Sequence, residues 1–456
     1  MSGEPGQEGT VVIGAGFAGA SAALSLAEGG GRVCLFEAGR SPGGRARSFL
    51  DRRSGLDLDW GPHLFMKSNP ALLCFLDRIG ATPDLHFESS LDLVYRMVGD
   101  VAKRDVRLER LCFPEWGRSL GALWALMRWR GPSAKERVSI LKGLFRLIRE
   151  NSGASVESVE TMLTRLGQGS AERKWFWEPF VRAVLNMPMS EGSGELFRRV
   201  VAESFSQGPS GATLGAPSIA MHPFWGARAL NAIRNKGGEV RMSAPVSRIA
   251  VEGGSVNGVV LPGGEFISAA RVISAVPPPA LIAMLPPELL GQSPWRDLSR
   301  MQPGPIASAY IWLDSDEPGP RYEALLGEPW EWLFRPRGNG RGPGAPVALL
   351  TGGVDSIAAG PRGRLETTAR ETASRIFPGT AVRRVLIVRE RAATWANGVD
   401  EQPFRPEAQT PVKGLILAGD WTATGFPATC EGAVRSGFKA AEVALALEGI
   451  EQIEQG

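Results

Sequence analysis

The chain has 456 residues, 43% of them hydrophobic and 22% charged, a composition that excludes disordered and fibrous proteins. Its 51 Lys and Arg stand against 48 Asp and Glu, a formal charge of +3, so nucleic acid is not the default partner and any basic surface must be local. Two domains sharing the work are expected at this length, with room for a large water-shielded interior.

Val11 to Ile13 is a β-branched run, Gly14 to Gly19 a glycine turn, Ala20 to Ala27 a helix pattern and Arg32 to Glu37 a second apolar run, together one βαβ unit. The uncharged stretch Gly9 to Ala27 approaches the length of a membrane span, but its glycines and the lack of a basic flank argue against a span or signal peptide. Gly14, Gly16 and Gly19 form a GxGxxG turn between strand and helix, which suits a tight turn, close approach of a pyrophosphate and close helix packing. Glu37 ends the next strand, where a carboxylate accepts both hydroxyls of an adenosine ribose and repels a 2′-phosphate. FAD or NAD is therefore expected before NADP, the bland alternative being a glycine turn with a surface Glu. Gly43, Gly44 and Arg45 add a glycine doublet and a cation that a plain NAD site does not need. The guanidinium either pairs with phosphate oxygens or is a solvated surface charge.

After Asp59-Trp60-Gly61-Pro62-His63 a helix is predicted over Pro70 to Ile79. Residues from about 86 to 223 read mostly as helices, with one strand candidate at Leu91 to Met97, and look like an inserted domain. Within it, Trp116-Gly117-Arg118, Leu120 to Leu126, Met127 to Arg130 and Leu141 to Arg149 alternate Trp and Arg with aliphatic residues. That pattern suits a helix lying peripherally on a membrane and equally an ordinary amphipathic helix.

Short strands are predicted at Val246 to Val251, Val256 to Leu261, Glu265 to Ile267 and Arg271 to Ala275, with Pro277 to Pro279 as a rigid connection. Ala307 to Leu313, Pro346 to Thr351 and Val382 to Val388 follow as strands around a helix at Arg364 to Phe377. The chain closes with Leu415 to Leu417, Gly419-Asp420 and a helix from about Glu431 to Leu447. Cys34, Cys74, Cys112 and Cys430 form no cluster, which argues against disulfides and a metal site and fits a reducing cytoplasm.

The segments VVIGAGFAG, FEAGRSPGGRARS and LAGDWTATGFPATCEGAVRSG resemble the FAD-dependent amine oxidase and phytoene desaturase superfamily, and within it the hydroxysqualene dehydroxylase subgroup. Asp59 to His63, Trp177-Glu178-Pro179, Ala183 to Pro188 and Phe197 to Ser204 are similar to that subgroup too, with Pro62 a departure where many members carry Gln.

The fold implied is α/β: a Rossmann-like FAD-binding domain of the glutathione-reductase-2 type, from segments 1–85, 224–285 and 410–456. An interleaved α+β substrate domain comes from 86–223 and 286–409. By the resemblance, Gly61 and Pro62 would lie at the flavin, Gly419 and Asp420 would bind the pyrophosphate and ribityl region, and Gly432 and Ala433 would start a helix whose amides face the flavin pyrimidine edge. Val246 would meet the adenine through its backbone. Of His63, His86 and His222, only His63 falls beside the flavin, as a proton donor or as a packed, hydrogen-bonded imidazole.

The implied reaction removes the hydroxyl of hydroxysqualene, a C30 isoprenoid alcohol, to give squalene for hopanoid or sterol synthesis. The C–O bond breaks with the oxygen protonated, and hydride from reduced flavin quenches the allylic cation in a dry apolar tunnel. An external electron donor, a nicotinamide or a reductase, is then required. Two alternatives stay open: an oxidative carotenoid-type desaturase or amine oxidase, and a non-catalytic prenyl-lipid carrier.

Overall fold

Val11, Val12 and Ile13 are β-branched and almost fully buried, and the strand Thr10–Ile13 forms the middle of a five-stranded parallel sheet. This is a computed structural model that describes residues 9–98, 106–113, 118–150, 156–206, 208–335, 344–395 and 397–455. The strand order is Glu239–Arg241, Val33–Phe36, Thr10–Ile13, Arg271–Ser274, Leu415–Leu417. The chain starts at the centre, builds outward to one side, then returns to build the other. The order reverses between Thr10–Ile13 and Arg271–Ser274, and a crevice at such a switch point is where open parallel sheets bind ligands.

Helix Phe17–Glu28 is buried from Phe17 to Leu24, which explains its Ala-rich sequence. It packs on helix Cys430–Gln455 so closely that a Cβ at Gly437 would sit 2.1 Å from Ser21 Oγ. Trp225 stacks on Phe17 with ring centroids 3.9 Å apart and donates Nε1–H to Ala46 O at 3.1 Å.

Beside the parallel sheet lies a three-stranded antiparallel sheet, Arg248–Glu252, Ser255–Val260 and Phe266–Ser268. The first strand begins two residues later than the sequence suggested. Val246 sits in the irregular stretch before it, partly buried against the core. Pro277 is the N-cap of helix Pro278–Met284, so the proline run opens a helix.

The largest sheet has seven strands in the order Val382–Trp395, Pro303–Leu313, Val347–Gly352, Trp332–Phe334, Tyr322–Leu326, Leu91–Val98, Val106–Phe113. It is antiparallel except where Tyr322–Leu326 runs parallel to Leu91–Val98. The helical region thus contributes more than one strand: Val106–Phe113 pairs with Leu91–Val98, and Leu214–Pro217 pairs with Phe65–Met66 and Leu85–Phe87. Ala307, Ala309 and Ile311 face helix Arg362–Ile376 and share its core, while Tyr310 and Ala348 face the hairpin Ser48–Asp51/Leu56–Asp59. The helices around Trp129, Phe176, Trp177 and Phe197 fill a separate core, and Trp116-Gly117 lies outside the described residues.

Candidate cofactor and substrate site

The glycine turn sits at the sheet's switch point, and its three glycines answer three demands. Gly14 has φ +102°, Gly16 faces open space, and a Cβ at Gly19 would lie 1.9 Å from Gly14 O. Gly16 is also the N-cap of helix Phe17–Glu28 and has no side chain to cap it, which leaves an electropositive helix end facing that space. Glu37 folds back over the turn: Oε2 accepts from Ala15 N and Oε1 from Gly39 N, both at 2.7 Å. Each carboxylate oxygen keeps lone-pair capacity for a hydroxyl. Ser274, opposite Ile13 in register, has a buried Oγ without a partner beside the same turn.

The glycine doublet docks onto this turn. Gly43 N donates to Ala15 O at 2.9 Å, and Gly44 lies against Gly16. Arg45 is neither a solvated charge nor a free cation: Nη2 donates to Asp420 Oδ1 at 2.7 Å and Nη1 to Ala393 O at 2.9 Å. Asp420 is buried, and Gly419 N donates to Ser436 Oγ at 2.8 Å. Buried Arg405 donates to the carbonyls of Asp420 and Thr422, which fixes the loop from Gly419. Burial pulls its guanidinium down to about 10, against the opposing pull of Asp420. The sequence reading missed Arg405, because nothing local marks it.

The amides of Gly432 and Ala433 are taken up in the first turn of their own helix, by Thr429 Oγ1 at 3.2 Å and Thr429 O at 2.9 Å. Glu431 is buried and turned away, accepting from Ala71 N, Leu72 N and Arg435 Nε. It caps helix Pro70–Arg78, whose own Asn69 makes no side-chain cap.

A small pocket of about 70 Å³ opens between the Asp59 to Leu64 segment and the large sheet. Pro62, His63, Tyr310, Arg321 and Phe334 are among its lining residues. Tyr310 Oη donates to Asp59 O at 2.7 Å, and Asp59 Oδ1 accepts from Met221 N at 2.8 Å. A Cβ at Gly61 would lie 3.0 Å from Ser308 Oγ, itself buried and unpartnered. Burial pushes His63 down to about 4, opposed by a hydrogen bond with the Gly61 backbone, so its ring is neutral at pH 7. His63 Nδ1 is buried without a partner. Tyr310 and Arg321 were not singled out from the sequence; alternation along Ala307 to Leu313 already sets Ser308, Tyr310 and Trp312 on the face opposite Ala309.

The family described as flavin containing amine oxidoreductase matches residues 17–445. The chain belongs to that family. A hydroxysqualene dehydroxylase of Zymomonas mobilis is 26% identical over 96% of this chain and 99% of its own length. One of Sinorhizobium fredii is 28% identical over 95% of this chain and 97% of its own. A solved oxidoreductase of Methanosarcina mazei superposes with a TM-score of 0.73 at 20% identity, covering 95% of this chain and 99% of that one. The parallel sheet with its interleaved, mostly antiparallel sheet is the architecture of this family, and FAD is its cofactor. Membership makes the chain an oxidoreductase, which sets aside the carrier reading.

Proposed function

We propose that this flavoenzyme removes the hydroxyl group of hydroxysqualene to give squalene, a hydrocarbon precursor of hopanoids and sterols. What carries this reading is end-to-end similarity to two relatives of that name, at 26% and 28% identity.

The open approach at Gly16, the orphaned Ser274 Oγ and the two-handed Glu37 carboxylate fit a dinucleotide. Gly14, Gly16 and Gly19 would receive the pyrophosphate and Glu37 the ribose. Gly43, Gly44, the Arg45–Asp420 pair and Gly419 would close the far side, with Gly61, Pro62, Gly432 and Ala433 around the ring and Val246 at the adenine. Bound FAD, once reduced by a nicotinamide or a separate reductase, supplies the two electrons and the hydrogen that replace the hydroxyl.

The chain's own work is to hold and orient the alcohol. Leu64, Ile219, Phe334 and Ala348 give one side of the pocket apolar walls on which part of an isoprenoid chain would rest, with Asp59, Arg321 and Arg335 on its polar side. His63 is neutral, so it orients the alcohol through a hydrogen bond at Nδ1 and is not the acid; the proton with which the departing oxygen leaves as water is drawn from the medium.

Anaerobic turnover of hydroxysqualene by the pre-reduced enzyme tests this. Loss of the alcohol, appearance of squalene and reoxidation of the flavin are expected. Recovery of the alcohol unchanged, with the oxidised enzyme instead desaturating a polyene or oxidising an amine, would replace the proposal with the oxidative reading.

A further inference from the structure

Helices Arg118–Arg128 and Ala134–Arg149 form a hairpin whose inner face is core: Ala125, Leu126, Trp129, Ile140, Leu144 and Leu147 are all buried. Arg137 Nη1 donates to the carbonyls of Leu126 and Met127, tying the second helix to the end of the first. The outer face should therefore be plainly polar. Instead it exposes Trp124 at 37%, Met127 at 65%, Val138 at 50% and Phe145 at 52%, four of the ten large apolar side chains exposed among the described residues.

Cations run between these side chains. Lys135, Lys142, Arg146 and Arg149 are exposed on the second helix, Arg128 on the first, and Arg130 between them. The Arg128 guanidinium lies 4.9 Å from the Trp124 ring centroid and that of Arg149 lies 4.0 Å from Phe145, so charge and apolar surface share one layer. The acidic neighbours are occupied: Glu136 bonds to Ser133 N in a capping box, and Glu150 pairs with Arg165 at 2.8 Å. Six cations on one face of a chain whose whole formal charge is +3 make a strongly one-sided field.

We propose that this outer face docks on an anionic phospholipid bilayer. Its aromatic and aliphatic side chains enter the acyl boundary, and its Lys and Arg reach lipid phosphates. A protein partner fits less well, because interface cores are depleted of Lys and charge is pushed to the rim, whereas here cations interleave with the apolar residues. No helix among the described residues is long and apolar enough to cross a membrane, so the contact is peripheral. The surface stands apart from the reaction proposed above, and its test needs no turnover.

The experiment is co-sedimentation of the full-length holoprotein with vesicles of phosphatidylcholine alone and of phosphatidylcholine mixed with phosphatidylglycerol. Binding to the mixed vesicles, released by salt, is expected. Each cation replaced by a neutral residue should weaken it about fivefold, the ratio that corresponds to about 1 kcal/mol. Lys142→Gln and Arg146→Gln test the charges and Phe145→Ser the apolar contact, with flavin absorbance confirming that each variant is folded. Wild-type protein left in the supernatant with both vesicles, binding indifferent to salt, or folded variants that sediment like wild type would overturn the proposal. So would an oligomer that Phe145→Ser dissociates without any vesicle binding, since that assigns the face to a second copy of the chain.

Discussion

Arg45 Nη2 lies 2.7 Å from Asp420 Oδ1, joining the glycine doublet after the first βαβ unit to the loop that follows the last strand of the parallel sheet. Asp420 is buried and Arg45 half-buried, so removing one partner strands the other in a poorly solvated place. Arg45→Ala should cost about 2 kcal/mol and weaken cofactor retention. The double variant with Asp420→Asn should lose less than the sum of the two single losses. Thermal midpoints and the ratio of flavin to protein absorbance read both, and strict additivity would dissolve the pair.

Glu37 accepts two amide hydrogen bonds that hold the glycine turn against Gly39. Glu37→Ala should lower flavin occupancy at least tenfold and Glu37→Gln less, because the amide keeps one accepting oxygen. Equilibrium titration of the stripped protein with FAD measures this, and wild-type affinity in Glu37→Ala would count against a ribose role.

Gly19→Ala places a methyl group inside the contact distance of Gly14 O, with no flexible side chain to give way. A loss of at least about 2 kcal/mol is expected, with colourless protein on purification. Gly16→Ala meets no atom within 4 Å, so it should fold normally and lose only cofactor affinity.

His63→Ala should slow the proposed dehydroxylation while the protein stays yellow. The pH dependence separates the two roles of the ring. With its value near 4, wild-type turnover should be flat for this group from about pH 5 upward, whereas an imidazolium acid would give activity that falls above pH 6 to 7. The stability sign agrees: between about 4 and 6.5 the unfolded chain binds the proton and the folded one does not, so stability drops as pH falls through that window. His63→Gln should flatten that drop in a thermal-melt series.

Burial pushes Glu331 up to about 7, opposed by Arg182 at 3.7 Å. A raised carboxyl takes up a proton in the folded state between 4.5 and about 7, so stability declines as pH rises across that range and stays reduced above it. Glu331→Gln keeps an acceptor for Gly352 N and should be more stable than wild type at pH 8, with the gain vanishing near pH 4.

The first βαβ unit was legible because its signals are local: β-branched strands, glycines at fixed spacing and a carboxylate ending the second strand. The strands Tyr322–Leu326 and Trp332–Phe334 were not, since each is short and carries Glu or Trp where an alternating pattern would be sought. Glu431 as the cap of a helix 360 residues earlier, and Arg405 as the clamp on Asp420, depend on tertiary contacts that no window along the chain contains. His63 stood out by its motif, but its neutrality comes from burial, which sequence does not show.

The parallel sheet takes strands from residues 10, 33, 239, 271 and 415 onward, and the partner of Arg45 comes after the last of them. During translation, the first βαβ unit therefore emerges from the ribosome hundreds of residues before its outermost strand and its counter-charge exist. Coenzyme capture must wait until that strand and Asp420 have been made, and a shortage of FAD in the cell should reveal itself as vulnerable chains that are degraded for want of the coenzyme.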